Sequence, residues 1–524
     1  MSLVLGLDIG TSRATGVLVD TAAGRVLARH ILPYAPGFTI SDRWPGGAEQ
    51  DPKVWADAAM RVCRECILAS QKRRMYIESV AVTGLFGGLG VPVDRDFEPL
   101  RSVPIWLDRR ATAEAEALAR DLPTDALRAV TGMDVIDPYF GFVKLVWYMA
   151  RDTGLYLRTH RLLTPVGYIA RLLTGEHTTD LSSMANFGGL LDARTWQVNP
   201  EMADILGRVA SGIAGVKLEV RPDLFGTIVR SDEVVGEATG VGAALSGIPE
   251  GVPVVAGGVD TAVAMLAVGA AHPGDNALIM GTSWTWGLLR TGGPDARVLP
   301  RMVTVPHVVR PNDLDCSFGG GAYLGGAAGH WMPQMVASTQ PDTLDREASM
   351  VPPGAGGLVF HPFLAGASGP IWRSDLTAAF VGLRADHHRG HMYRAVLEGA
   401  AFLLEDGMRY VNGAGVPLAP STTVVDAGLG TALWRRIVAD VVGRPLAHIA
   451  AFPGTAYGAA MLAAVGARLA REDDVLGWVP TMRTVNPTED EAVREAYVEA
   501  RERFWRTMRA LHGDVGGAPA KGGA

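Results

Sequence analysis

Along the first hundred residues, short apolar runs alternate with one long amphipathic segment. Residues 3–9, 14–20 and 25–32 read as three strands joined by tight turns. Trp55, Ala59, Val62 and Cys66 then recur at helical spacing across 52–69. Strands are predicted at 78–83 and 88–93, with helices from about residue 111 onward. Farther on, 252–259 is a near-continuous apolar strand that ends on Asp260 and precedes a helical run from Thr261 to Ala270. Near the far end, Thr488-Glu-Asp-Glu491 reads as a capping box. It opens a helix with Val493, Tyr497, Ala500, Phe504 and Met508 on one face.

An internal echo organises these elements. Residues 7–18 and 278–289 align without a gap as an apolar strand, Gly-Thr-Ser, three residues, then a glycine (Gly16 or Gly287) and a second apolar strand. Each copy predicts a β-hairpin whose turn offers free amides and hydroxyls. Three antiparallel strands followed by αβ units is the order of a ribonuclease H-like domain. The expected fold is therefore α/β, with two ribonuclease H-like (actin-like ATPase) domains facing a central cleft. The Gly and Pro cluster at 246–252 places the expected division at 1–248 and 249–511, with 512–524 a Gly-, Ala- and Pro-rich disordered tail.

Length and charge narrow the function. A chain of 524 residues exceeds one hydrophobic core. Its net charge of −7, with no basic stripe, argues against a nucleic-acid partner. The start of the chain lacks the basic segment of a signal peptide. The most apolar stretch, 252–271, carries Asp260, whose charge would cost about 3 kcal/mol in a bilayer, so no membrane span is expected. Three cysteines suit a reducing compartment, and the expected location is cytoplasmic. A homodimer is left open.

The chemistry concentrates at the strand ends. Gly10 lets the backbone approach an anion, and Thr11 and Ser12 add hydroxyl donors. Asp8 can hold Mg²⁺ directly or through water. In the second copy Gly281, Thr282 and Ser283 repeat the donors while Ile279 replaces the carboxylate, which suits one metal held from one side of a cleft. Asp260 stands where α/β sheets bind ligands and is placed to take a hydroxyl proton in phosphoryl transfer, or else to cap the helix that follows it.

Taken together, these residues resemble the FGGY family of carbohydrate kinases over about residues 3–511. Gly6-Leu-Asp-Ile-Gly-Thr-Ser12 is similar to the family's first phosphate motif, and Trp106-Leu-Asp-Arg-Arg110 to its Trp-x-Asp-x-Arg element. Tyr139 through Trp147, with Lys144, follows the first signature, although Gly141 stands where Pro, Ser or Thr is usual. The second signature runs from Ala378 to Glu398, and Asp426-Ala-Gly-Leu-Gly-Thr431 resembles the adenosine segment. The resemblance implies ATP and Mg²⁺, with Asp260 as catalytic base, Asp8 on the metal, and Thr11 and Thr282 in the two phosphate loops. It also implies Gly428, Leu429 and Thr431 on the adenosine side, with Gly326 and His330 near another nucleotide contact. The acceptor pocket would draw on Leu85, Phe86, Trp106, Asp108, Tyr139, Asp260 and Thr261.

Departures fall mostly in that pocket. Leu85 and Phe86 replace polar residues of xylulokinases and glycerol kinases, Thr261 replaces a glutamine, and Gly366-Ala-Ser368 replaces a Gly-Glu-Arg segment. The implied activity is ATP-dependent phosphorylation of a small sugar or polyol, foremost a ketopentose. The alternatives are a tetritol or other polyol kinase, a sugar-binding pseudokinase, or an actin- or Hsp70-like ATPase. Cys63-x-x-Cys66 lies on a helix and is expected to pack in the core, while His387, His388 and His391 are expected to open a solvated helix. Trp284 and Trp286 are expected on a strand with one face in the core and the other toward the cleft.

Overall fold

The computed structural model describes residues 2–35, 37–40, 44, 46–280, 284–292, 299–319, 331–332, 335–336, 341–364, 366–426 and 431–513. Two sheets carry the fold. The first contains β1 (Leu3–Ile9), β2 (Arg13–Asp20), β3 (Arg25–Pro33), β4 (Ile77–Gly84), β5 (Val234–Glu237) and β6 (Pro253–Val259). Its order is β3-β2-β1-β4-β6-β5. The second contains β7 (Asn276–Met280), β8 (Trp284–Thr291), β9 (Val303–Pro306), β10 (Leu314–Gly319), β11 (Thr422–Asp426), β12 (Leu446–Ile449) and β13 (Met482–Val485), in the order β9-β10-β8-β7-β11-β12-β13.

Apart from the added β9, the sheets match strand for strand. Each has an antiparallel hairpin, a third antiparallel strand beside it, two parallel strands on the other side, and an antiparallel edge. The gapless match of the two copies ends at the turn. Residues 10–13 lie between the paired Ile9 and Ala14, whereas only 281–283 lie between Met280 and Trp284. A one-residue difference exchanges the faces of the returning strand. Thr285, not Trp286, is therefore the structural partner of Ile279, as Thr15 is of Asp8.

The strand 253–259, expected to open the second domain, instead completes the first sheet by pairing parallel with β4. The Gly and Pro cluster before it is a surface turn after the helix Gly240–Ser246, so the first sheet continues past residue 248. Two helices cross between the sheets. Asp260–Ala267 leaves the end of β6, and Thr455–Gly466 returns from the far half of the chain to lie on β1. The second helix is apolar on every side, as a helix buried all round must be. It approaches β1 so closely that a Cβ on Gly6 would sit 1.9 Å from the Ala456 carbonyl oxygen.

The amphipathic helix runs Pro52–Lys72 and buries Cys63 and Cys66 as free thiols. The C-terminal helix, Glu491–His512, buries Tyr497, Ala500, Phe504 and Met508, with Val493 partly exposed. Its cap is Asp490, which accepts from the Ala492 amide, rather than Thr488. His388 caps the helix Arg389–Gly413, where the histidine cluster was expected to open one. Residues 514–524 of the expected tail lie outside the described residues.

Candidate active site

β1, β4 and β6 run parallel and in step, with Ile9 and Val259 both paired to Gly84. Their carboxyl ends deliver Gly10-Thr11, Leu85-Phe86 and Asp260-Thr261 to one place, where open α/β sheets hold ligands. A cavity of ≈ 150 Å³ opens there. Thr11, Leu85, Phe86, Trp106, Tyr139, Asn186, Asp260 and Thr261 line it from the first half of the chain. Trp284, Thr285, Val303, Phe318, Ser368 and Trp372 close it from the second.

The carboxylates dominate its electrostatics. Burial pushes Asp8 up to about 7, with the negative charge of Asp260 adding to the rise and Arg13 and Arg29 opposing it. Burial likewise pushes Asp260 up to about 6 against a hydrogen bond from the Thr261 backbone. Val259, not Asp260, holds the N-cap position; Asp260 is the first helical residue, where the helix dipole favours its charge. Its carboxylate lines the cavity. Asp8 Oδ1 is buried without a hydrogen-bond partner. A buried orphan oxygen next to a second carboxylate fits a hard divalent cation. Among the described residues no cluster of three or more His, Cys, Asp or Glu gathers.

Hydrogen bonds fix the walls. Trp106 Nε1 donates to Thr11 Oγ1 at 2.9 Å, and Gln50 Nε2 donates to the Thr11 carbonyl at 2.7 Å. The buried Lys144 ammonium donates to the carbonyls of Gly87, Pro138 and Tyr139, tying the Tyr139 wall to the loop after Phe86. Burial lowers that ammonium to about 7. Phe86 stacks on Phe187, with ring centroids 6.0 Å apart. From the second half Trp372 meets the Tyr139 ring at 5.9 Å while its Nε1 donates to the Arg301 carbonyl.

Three lining residues keep a buried polar atom without a partner, namely Asn186 Oδ1, Thr261 Oγ1 and Trp284 Nε1. Trp284 and Trp286 are both buried, and Thr285 between them lines the cavity.

Asp108 does not join this group. It is fully buried, accepts from the Ala48 amide at 2.6 Å and pairs with Arg110, so its carboxylate is consumed in holding the loops behind Trp106. Ser12 is exposed at the turn, and its carbonyl accepts from the Tyr34 amide. Thr431 caps the helix Ala432–Val442 by accepting from the Trp434 amide, one end of the segment expected on the adenosine side. Asp426, at the end of β11, pairs with His448 at 2.9 Å. Gly281, Thr282, Ser283, Gly326, His330, Gly428 and Leu429 lie outside the described residues. Asn186, Val303, Phe318 and Trp372 went unforeseen. Asn186 is a buried amide in the short helix Leu181–Phe187, a burial visible only in the fold.

Models of the FGGY family of carbohydrate kinases match residues 3–267 with the N-terminal domain and 278–467 with the C-terminal domain. The chain belongs to the FGGY family of carbohydrate kinases. Xylulose kinase of Bacillus subtilis is 28% identical over 475 residues, spanning 89% of this chain and 88% of that protein. Glycerol kinase of Myxococcus xanthus is 28% identical over 479 residues, spanning 88% and 90%. The crystal structure of xylulose kinase from Rhodospirillum rubrum superposes with a TM-score of 0.82 at 28% identity, covering 97% of this chain and 99% of that one. This FGGY kinase is accordingly a phosphotransferase that takes ATP and the alcohol group of a sugar. Among its described residues no helix is long and apolar enough to cross a membrane.

Proposed function

We propose that this FGGY kinase transfers the γ-phosphoryl group of Mg²⁺-bound ATP to a small neutral sugar, foremost a ketopentose, with a less hydroxylated polyol as the alternative acceptor. The observation that carries the reading is Asp260, raised to about 6 at the rim of a cavity that both halves of the chain enclose. A carboxylate with that affinity for a proton accepts one from a hydroxyl more readily than an ordinary aspartate does. Asp260 takes the hydroxyl proton as the acceptor oxygen bonds to the γ-phosphorus and the bond to the ADP oxygen breaks. Bound Mg²⁺ neutralises phosphate charge, and Asp8 would hold it. Gly10, Thr11, Ser12, Gly281, Thr282 and Ser283 would cradle the phosphates, and Gly326, His330, Gly428, Leu429 and Thr431 would face the rest of the nucleotide.

Trp106, Tyr139 and Thr261 then line the acceptor, joined by Asn186 and Trp284, whose unpaired atoms supply an acceptor and a donor for its hydroxyls. Leu85 and Phe86 present no polar atom, and a hydroxyl left unpaired against them costs about 1–3 kcal/mol. None of the described cavity-lining residues is a lysine or arginine, which favours a neutral acceptor over a sugar acid. The xylulose kinases among its relatives support the ketopentose class. Asp108 is better read as a support for the Trp106 loop. Three buried free cysteines fit work in the cytoplasm.

ADP release across ketopentoses, tetritols, glycerol and sugar acids tests the reading. Glycerol and D-xylulose should both trail the best neutral compound, and sugar acids should be inert. A wide lead for glycerol or D-xylulose would refute the pocket assignment.

A further inference from the structure

The Gly258–Val259 peptide, one residue ahead of Asp260, is held by two side chains just past a break in the sheet ladder. β6 pairs with β4 at Val254/Val80 and Val255/Ala81, loses register, and resumes at Gly258/Thr83. In the break Gly257 takes a φ of +78°, and a Cβ there would lie 1.6 Å from the Val82 carbonyl oxygen, so no other residue fits. Just beyond it the Gly258–Val259 peptide is gripped at both ends. Thr83 Oγ1 donates to the Gly258 carbonyl at 2.8 Å, and the Val259 amide donates to Ser182 Oγ at 3.0 Å.

Ser182 is itself oriented. Its hydroxyl donates to Asp180 Oδ1 at 2.6 Å, and the same oxygen accepts the Ser183 amide at 2.8 Å to cap the helix Leu181–Phe187. A hydroxyl has one hydrogen, so giving it to Asp180 leaves the serine's lone pairs for the Val259 amide. Thr83, Ser182 and Asp180 are all buried, at 0%, 1% and 3% exposure, so water cannot replace any of them. The helix that carries Ser182 also places Asn186 in the cavity wall.

We infer that Ser182 and Thr83 are positioning residues for Asp260: together they fix the Gly258–Val259 peptide, one residue ahead of the base, and couple its placement to the acceptor wall. Removing either hydroxyl takes a hydrogen bond from this buried peptide just past the bulge, and the backbone shifts to recover one. The shift arises at the bulge, where the ladder offers least resistance, and carries Asp260 with it. The inference rests on the reading of Asp260 as the base.

The test is a double-mutant cycle on the full chain. Ser182→Ala and Thr83→Val, the latter keeping a branched side chain of nearly the same shape, are each made in the wild-type and Asp260→Asn backgrounds. Single-turnover phosphoryl transfer to the best acceptor of the panel is measured, and ATP affinity is followed by calorimetry. With Asp260 present, each variant should lose about 10- to 100-fold in transfer rate, the scale of an ångström-sized misplacement, with ATP affinity unchanged. In the Asp260→Asn background each should cost less than about twofold, because the group being positioned is gone. Thr83→Ser, which retains the hydroxyl, should recover most of the rate. Equal losses in both backgrounds, or no loss with Asp260 present, would overturn the inference. Should Ser182→Ala fail to fold, Thr83→Val and its serine control decide alone. An Asp260→Asn protein at full rate would remove the base itself and the positioning role with it.

Discussion

The two hairpins at the floor of the cleft share a topology and differ in chemistry. In the first, Asp8 lies between Thr15 and Thr83; in the second, Ile279 lies between Thr285 and Val425. One half thus places a carboxylate where the other places a hydrocarbon, and the second carboxylate, Asp260, also leaves the first sheet. On the proposed mechanism the duplicated fold divides its labour, with acid–base and metal chemistry assigned to the half that carries Asp8 and Asp260. Two carboxylates on one side can share a cation with phosphates, whereas a third opposite them would repel the nucleotide.

The strongest way to break that asymmetry is to remove its charge. Asp8→Asn should lower Mg²⁺-dependent turnover by about 100-fold or more while the protein stays folded, on the scale of losing one electrostatic contact to the transition state. Steady-state assays across Mg²⁺ concentrations check it, and unchanged activity at limiting Mg²⁺ would end the role. Adding charge to the other side sharpens the same point. Ile279→Asp should weaken ATP binding about tenfold, or about 1.4 kcal/mol, without creating a second metal site. Calorimetry with ATP, and separately with the acceptor, tells repulsion of phosphate from general damage.

A smaller effect belongs to the wall that both halves build. Asn186→Ala removes one hydrogen-bonding partner of the acceptor and should cut kcat/KM for it about five- to tenfold, with KM for ATP unmoved. The smallest is a stability signature. Because burial and Asp260 raise Asp8 to about 7 in the folded protein, the folded state holds that proton more tightly than the unfolded chain does. The contribution is fully present below the ordinary aspartate value near 4 and is lost as pH rises through about 7. Without nucleotide, Mg²⁺ should therefore raise the melting temperature at pH 8 more than at pH 5, and Asp8→Asn should abolish the difference. Scanning calorimetry at the two pH values reads it directly.

What was legible in the sequence was local. The strands 3–9 and 25–32 and the helix from residue 52 follow from periodicity, and Asp8 and Asp260 stand out as carboxylates at the ends of apolar strands. The duplication was legible as a pattern of elements. The register was not, because a turn one residue shorter leaves the aligned letters intact while exchanging the faces. The sheet that 253–259 joins was hidden for a similar reason: an apolar strand does not say which of two sheets it enters, and the choice is made by pairing with 77–84, far away in sequence. Trp372, Val303 and Phe318 reach the cavity only once the halves meet. Nothing local reveals that the Ala48 amide and Arg110 already bond to the Asp108 carboxylate.

Single-turnover phosphoryl transfer by Asp260→Asn, with thermal unfolding followed on the same preparation, tests the central claim most directly. Asparagine preserves shape while losing the ability to accept the proton. The account predicts a rate about 10²- to 10⁴-fold below wild type, with melting temperature and ATP affinity nearly unchanged. It also predicts that the wild-type rate falls on acidification with an apparent pKa near 6, where Asp260 takes up its proton, and that the variant lacks this limb. A variant that transfers at close to the wild-type rate, or one that loses rate only in step with stability, would contradict it.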